Sequence, residues 1–355
     1  MGLEKDDWIA WLTGRGEPAF RAGQVLDWLF RKRVDSFNAM TNLSAGLRAA
    51  LAEEFRLNPL ESATQQGSTD TTRKFLFRLH DGRYIETVLI PASPALYGEN
   101  SDRRTLCVSS QVGCAYDCKF CASGLAGFTR NLDAGEIVGQ ILEAERIGGE
   151  RINNLVFMGM GEPLANFRNL TKAIRIINAD WGVGIGARHL TISTSGLAPQ
   201  IEKLAEEPMQ IRLAISLHGA TDEVREKIMP VNRKYPIDRL FEALQIWRAK
   251  KSQKITFEYI LIDGVNDSRQ QAEILARRAR SVHAKVNLIP YNTVEGLPWS
   301  RPPVRVQEAF LDVLKSGGVQ ATLRREKGHD IAAACGQLRL KQETEEGIVE
   351  APLKD

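Results

Sequence analysis

Three cysteines stand close together in Gly113-Cys114-Ala115-Tyr116-Asp117-Cys118-Lys119-Phe120-Cys121. The spacing is C-x3-C-x2-C, and the next cysteine along the chain is Cys335. A closed structural zinc site takes four protein ligands, and an ordinary iron–sulfur cluster takes four thiolates. Three thiolates on a [4Fe–4S] cluster leave one iron open to a substrate. Core packing accounts poorly for the trio, because neighbouring loop positions rarely all face inward. Disulfides within so short a loop are strained. A zinc site would need a fourth Cys or His from far away in the chain. The expected cofactor is therefore a [4Fe–4S] cluster with three protein ligands, Cys114, Cys118 and Cys121.

Other polar clusters could serve a ligand at the open iron. Gly159-Met160-Gly161-Glu162-Pro163, Ser193-Thr194-Ser195-Gly196, Ser216-Leu217-His218 and Asn292 each follow a run that reads as a strand. Glycines such as Gly161 let backbone approach a ligand closely. Glu162 can accept from an ammonium, while Ser193, Ser216, His218 and Asn292 can bind a carboxylate or a ribose. Each segment alone also fits an ordinary strand-end turn. The remaining cysteines, Cys107 and Cys335, read either as buried small apolar residues or as a thiol pair facing the same mouth.

The elements that must position these residues come from periodicity. Residues 1–60 read as helical, with Trp8, Trp11 and Leu12, then Phe20, Val25, Leu26, Trp28, Leu29 and Phe30, then Leu47, Leu51 and Phe55 after Ser44. Arg31-Lys32-Arg33 closes the second helix, where it either complements the helix dipole or touches phosphate. Residues 73–90 predict a β-hairpin turning at Asp81-Gly82. Residues 91–103 read as a loop or insertion.

From residue 104 strands and helices alternate. Strands are predicted over 104–110, 154–158, 189–194, 211–217, 255–262, 284–289 and 319–325. Helices are predicted to start near Asp133, Phe167, Pro199, Pro236, Asp267 and Pro303. Repeated βα units favour a parallel sheet, and these units are too few for a full eight-fold barrel. The expected fold class is α/β: a partial (β/α)6 barrel with a small N-terminal helical domain and a β-hairpin and C-terminal extension. Expected divisions are 1–65 as the helical accessory domain, 66–103 as hairpin and loop, 104–326 as barrel core and 327–355 as the C-terminal segment. Active sites on such folds lie at the C-terminal strand ends, where all four polar clusters fall.

Composition sets outer bounds. The chain has 355 residues, 43% hydrophobic and 26% charged, with a net charge of +3. These values suit a globular enzyme and leave any nucleic-acid footprint to local basic patches. Five cysteines, an odd number, do not make a secreted disulfide framework. No apolar run approaches transmembrane length and the N-terminus does not read as a signal peptide, so a cytoplasmic location and no membrane partner are expected.

The segments CVSSQVGCAYDCKFCASG, FMGMGEPLANF, LTISTSG, ISLHGATDEVREKIMPVNRKYPID, EYILIDGVNDS, VNLIPYN and DIAAACGQL together resemble the RlmN/Cfr family. These are radical S-adenosylmethionine (SAM) methyltransferases acting on adenosine in RNA. The resemblance spans nearly the whole chain and is more specific than the cysteine triplet. The chain is more similar to the RlmN branch, which makes 2-methyladenosine in 23S ribosomal RNA and some transfer RNAs. The Cfr branch modifies C8 instead.

The resemblance implies two SAM molecules per turnover. The first methylates Cys335, giving an S-methylcysteine intermediate. The second binds the open iron and yields the radical that activates that methyl for attack on C2. Cys107 then resolves the RNA adduct through a transient disulfide with Cys335, and Glu86 is the proton acceptor. SAM contacts carried over are Gly161, Glu162, Ser193, Ser216, Leu217, His218 and Asn292. RNA and an electron donor of flavodoxin or ferredoxin type are the implied partners. The base must be splayed out of its stack to expose C2. Arg31-Lys32-Arg33 and Arg324-Arg325 could then meet phosphate or be plain surface, and Trp299 or Tyr291 could stack on a base or pack in the core.

The chain departs from the family pattern in a longer Ala92–Arg103 stretch and in His329 and Ala332, where acidic residues are common. Two other classes compete. A radical SAM enzyme acting on a peptide or small molecule shares the triplet but has no use for a Cys107–Cys335 pair. A non-catalytic iron–sulfur or RNA-binding scaffold would hold a cluster without turning SAM over.

Overall fold

The computed structural model describes residues 1–68, 71–92, 101–125, 127–292, 297–324 and 337–349. Three helices open the chain. α1 (Lys5–Thr13) starts with a reciprocal capping box between Glu4 and Asp7. α2 (Arg21–Leu26) runs on as a π-helical turn over Asp27–Lys32 and stops at Arg33, whose φ of 54° is left-handed. α3 (Ala45–Glu54) is capped by the Ser44 hydroxyl on Leu47 N–H. Trp8, Leu12, Val25, Leu26, Leu29, Leu47 and Leu51 bury the apolar stripes of this layer. It is tied to the rest of the chain by Arg175–Glu4, Lys172–Asp7 and Arg33–Glu145 ion pairs.

β1 (Leu60–Gly67), β2 (Arg73–Leu79) and β3 (Tyr84–Pro91) form an antiparallel meander, and β3 pairs antiparallel with β4 (Arg104–Cys107). The expected two-stranded hairpin is thus three-stranded. It is continuous with the main sheet, because the backbone edge of β4 is free to accept β3. The strand expected over 104–110 leaves the ladder after Cys107, and the Ser110 and Gln111 N–H groups go to Met160 O instead.

β5 (Gln111–Gly113), α4 (Ala122–Leu125) and β6 (Phe128–Asn131) come next, with β5 and β6 paired as a separate ribbon. α5 (Ala134–Gly148) begins at Asp133, whose capping box with Glu136 is present as the spacing suggests. The alternation then runs β7 (Asn154–Phe157), α6 (Phe167–Asn178), β8 (Leu190–Thr194), α7 (Ala198–Glu206), β9 (Arg212–Ser216), α8 (Asp222–Ile228), α9 (Ile237–Lys250), β10 (Thr256–Leu261), α10 (Arg269–Ser281), β11 (Lys285–Pro290), α11 (Val304–Ser316) and β12 (Ala321–Leu323). α12 (Gln337–Glu345) follows.

The sheet order is β1-β2-β3-β4-β7-β8-β9-β10-β11-β12, with β4 and β7 to β12 parallel. The sheet is mostly parallel and does not close on itself, as a partial barrel requires. Side chains alternate across it. Phe257 meets Phe241 of α9, and Tyr259 meets Phe310 of α11, so the outer face is covered by helices. Glu258, between them, faces the other side. Among the described residues no helix is long and apolar enough to cross a membrane.

Candidate active site

The cysteine loop hangs from the β5–β6 ribbon. Cys114 N–H donates to Gly127 O at 2.9 Å and closes its neck. Gly113 has φ of 76°, and a Cβ there would collide with Gly127 O, so only glycine fits this position. Lys119 N–H donates to Ile228 O at 2.9 Å, and Trp299 Nε1 to Lys119 O at 3.2 Å, pinning the loop tip to two further segments. Cys114, Cys118 and Cys121 are all half-buried.

The Gly159–Pro163 turn lies beside this loop. Gly161, with φ of 97°, sits so close to Gln111 that a Cβ would fall 2.5 Å from Gln111 Cβ. Gln111 Oε1 accepts from Glu162 N–H at 2.8 Å. The Glu162 carboxylate, 3% exposed, accepts from Leu164 N–H at 3.0 Å and Ser195 N–H at 2.7 Å. Burial pushes its pKa up, against the pull of those hydrogen bonds. The turns after β7 and β8 are therefore joined through Glu162.

Arg225, which the sequence did not single out, joins the next pair of turns. It is fully buried and donates to Ser195 O, to Leu217 O at 3.1 Å and to Asn232 Oδ1 at 2.8 Å. Burial lowers its pKa to about 10. Ser193 and Ser216 bring their hydroxyls to 3.5 Å across β8 and β9.

His218 takes φ of 56°, and its Nδ1 accepts from Ile260 N–H at 3.0 Å. An accepting Nδ1 makes the ring neutral with its proton on Nε2. Burial, with Arg225 nearby, lowers its pKa to about 3. The ring stands edge-on to Phe120 of the cysteine loop, with centroids 4.7 Å apart. Asn292 follows β11, and its Oδ1 accepts from Arg301 at 2.5 Å.

Cys107 ends β4 in register with Val88 of β3 and is buried. Glu86 lies two residues before Val88, so it shares that face. Its carboxylate pairs with Lys74 Nζ at 2.8 Å, both groups being almost wholly buried. It also accepts from Arg339 N–H at 2.7 Å, near the start of α12. Glu343 of the same helix accepts from Tyr84 N–H at 3.2 Å. α12 also packs against α4, directly after Cys121. Ser109 links this corner to the glycine turn, donating to Glu86 O at 2.6 Å and accepting from Met160 N–H at 3.0 Å.

The cysteine trio suits an iron–sulfur cluster. Burial pushes the Cys114 thiol up to about 12 and Cys118 well above its usual value, and the neighbouring cysteines add to both shifts. Crowded thiols such as Cys114 and Cys118, which resist ionisation, are matched by cationic iron, which displaces their protons.

Other expected residues fall as follows. Arg33 pairs with Glu145, while Arg31 and Lys32 pair with Asp27 and remain more exposed. Tyr291 is buried, and Trp299 packs against the core beside the cysteine loop. Cys335, Arg325, His329, Ala332 and residues 93–100 of the expected insertion lie outside the described residues.

Known proteins resemble this chain over most of its length. The family model of the radical SAM superfamily matches residues 108–274, and that of the ribosomal RNA large subunit methyltransferase N-terminal domain matches residues 1–57. A protein of Akkermansia muciniphila named probable dual-specificity RNA methyltransferase RlmN is 58% identical over 337 residues, covering 95% of this chain and 94% of its own. A namesake in Opitutus terrae is 55% identical, covering 96% and 94%. The crystal structure of a radical SAM methyltransferase from Sphaerobacter thermophilus superposes with a TM-score of 0.88 at 44% identity, covering 95% of this chain and 97% of that one. The chain belongs to the RlmN family of radical SAM methyltransferases.

Proposed function

We propose that this enzyme methylates C2 of adenosine in RNA, with 23S ribosomal RNA and transfer RNA as substrates. C2 of adenine is electron-poor and does not attack a sulfonium methyl as an amine would, so a radical route is needed. A [4Fe–4S] cluster on Cys114, Cys118 and Cys121 supplies, when bound, the electron that splits SAM. Flavodoxin or ferredoxin is the class of donor that delivers it, and the cytoplasm is where such RNA is met.

The chain's own residues divide the remaining work. Cys335, as thiolate, takes a methyl from a first SAM and carries it to the base. Once that carbon is bound to C2, Cys107 attacks the sulfur; the sulfur–carbon bond breaks as the Cys107–Cys335 disulfide forms, and the released carbon takes up a proton to complete the methyl group. Glu86 holds the proton released from C2. Glu162 accepts from the SAM ammonium, while Gly161, Ser193, Ser216, Leu217, His218 and Asn292 surround the rest of that molecule. The N-terminal helical layer, which ends with α3 at Glu54 rather than running to residue 65, contributes RNA contacts, and the segment from residue 327 brings in Cys335.

The observation that carries this reading is the seating of α12 on Glu86. That bond brings the chain following Cys335 to the face shared by Glu86 and Cys107, beside the cysteine loop. The test is mass spectrometry of nucleosides from RNA treated anaerobically with enzyme, SAM and reductant. 2-Methyladenosine is expected, and it should vanish with Cys335→Ala. Methylation at C8 would place the enzyme with the Cfr branch, and no methylated nucleoside would reject the proposal.

A further inference from the structure

Glu258 is a buried carboxylate that none of the roles above uses. It is 6% exposed and lies on β10 on the sheet face away from the helices. In register with it stand Ser216 on one side and Asn287 on the other, and Asn287 is in register with Thr322. Asn287 Nδ2 donates to Glu258 Oε1 at 3.0 Å, and Thr322 Oγ1 donates to Asn287 Oδ1 at 2.8 Å. These bonds orient one carboxylate oxygen from behind. The other, Oε2, is buried and has no hydrogen-bond partner among the described residues. Such an acceptor is costly to leave unpaired. It lies one strand from Ser216, whose hydroxyl faces that of Ser193.

We propose that Glu258 is a further binding residue, whose free oxygen accepts from the ribose hydroxyls of SAM. The inference rests on the reading of SAM as the ligand beside Ser193 and Ser216. A carboxylate is the natural partner of a ribose diol, as the acidic residue of dinucleotide-binding folds illustrates. Glu258, in the middle of β10, lies level with Ser216, the last residue of β9, so the sugar of a ligand seated on the two serines is within its reach. The Asn287–Thr322 brace fixes the carboxylate before the ligand arrives, which lowers the ordering cost of binding. The target adenosine also has a ribose, but inside an RNA chain its 3′ oxygen is esterified. A free 3′ hydroxyl distinguishes SAM.

The test is calorimetric titration of the anaerobic holoenzyme, without RNA, using SAM and its 2′-deoxy and 3′-deoxy analogues. Wild type should bind at least one deoxy analogue about tenfold or more weakly than SAM, the range for a hydrogen bond to a charged group. In Glu258→Gln that penalty should shrink to about threefold or less, with iron content per chain unchanged. Asn287→Ala should shrink it too, by freeing the carboxylate from its brace. Equal affinity of wild type for all three ligands would overturn the proposal without any variant. So would a deoxy penalty that Glu258→Gln leaves intact, which would make Glu258 a structural counter-charge to Arg324 and Lys285, the two cations whose charges act on its carboxylate. Failure of wild type to bind SAM at all would instead reject the radical SAM reading on which the proposal rests.

Discussion

The backbone N–H of Arg339 donates to the carboxylate of Glu86 at 2.7 Å, across 253 residues of chain. Arg339 is the third residue of α12, so Glu86 does the work of a helix cap from another element. Lys74 holds the other carboxylate oxygen. Removing the carboxylate strips the charge partner from a buried lysine and a cap from α12 together. Glu86→Ala should therefore lose about 3 kcal/mol or more of stability, measured by urea unfolding. Hydrogen exchange in α12 should rise well before global unfolding. Lys74→Met combined with Glu86→Leu should recover much of the stability and none of the methylation.

The cysteine loop depends on its neck. Gly113→Ala places a methyl against Gly127 O at a left-handed φ. Iron incorporation should drop severalfold although every cysteine is retained. Cys118→Ala should lose the cluster outright, from about four irons per chain to none. Iron analysis and the visible absorption spectrum after anaerobic reconstitution check both. A fully loaded Gly113→Ala protein would show that the neck is dispensable.

Arg225 spans three segments with a planar fork that a lysine cannot reproduce. Arg225→Lys should leave at least one of Ser195 O, Leu217 O and Asn232 Oδ1 without its donor. An expected cost of about 2 kcal/mol follows for each buried acceptor left unpaired. SAM affinity should fall about tenfold, because the turns after β8 and β9 lose their common anchor. Unfolding and SAM titration of the same preparation measure both effects.

His218 predicts an acid-side slope in stability. Its folded pKa is about 3, while an unfolded histidine titrates near 6.5. Between those values the unfolded chain binds the proton and the folded chain does not. Stability from this residue is therefore full above about pH 6.5 and is lost as pH falls toward 3. His218→Asn, which tolerates the positive φ, should flatten that limb. The difference in apoprotein unfolding free energy between wild type and variant, followed from pH 7.5 to 4.5, is the measurement. A constant difference would refute the assignment.

The parallel strands were legible because each is a short apolar run followed by a turn signal. The predicted strand over 189–194, for instance, appears as Leu190–Thr194. Helix starts were legible from caps and prolines, as at Asp133, Pro236 and Pro303. β1 was not, because Leu60–Gly67 buries only Leu60 fully and its strand state is imposed by pairing with β2. Arg225 was hidden in Asp222-Glu223-Val224-Arg225-Glu226-Lys227, which reads as a solvated helix surface. Its burial comes from the loops that fold over it. Lys74 and Glu86 look like ordinary charged positions in a hairpin until α12 covers them. Long-range polar pairs of this kind leave no local periodicity. Glu86 enters the sequence reading as a site residue only through the family resemblance, and Lys74 not at all.

The clasp of α12 on β3 also sets a timetable. Glu86, Lys74 and the cysteine trio all leave the ribosome early, whereas Gln337 is made 216 residues after Cys121. At bacterial and eukaryotic elongation speeds that gap lasts roughly 10–40 s. During it the nascent loop is open to iron–sulfur delivery while the lid of the last helix does not yet exist. Any metal bound by the loop can thus be loaded before α12 is made to close over that side of the sheet.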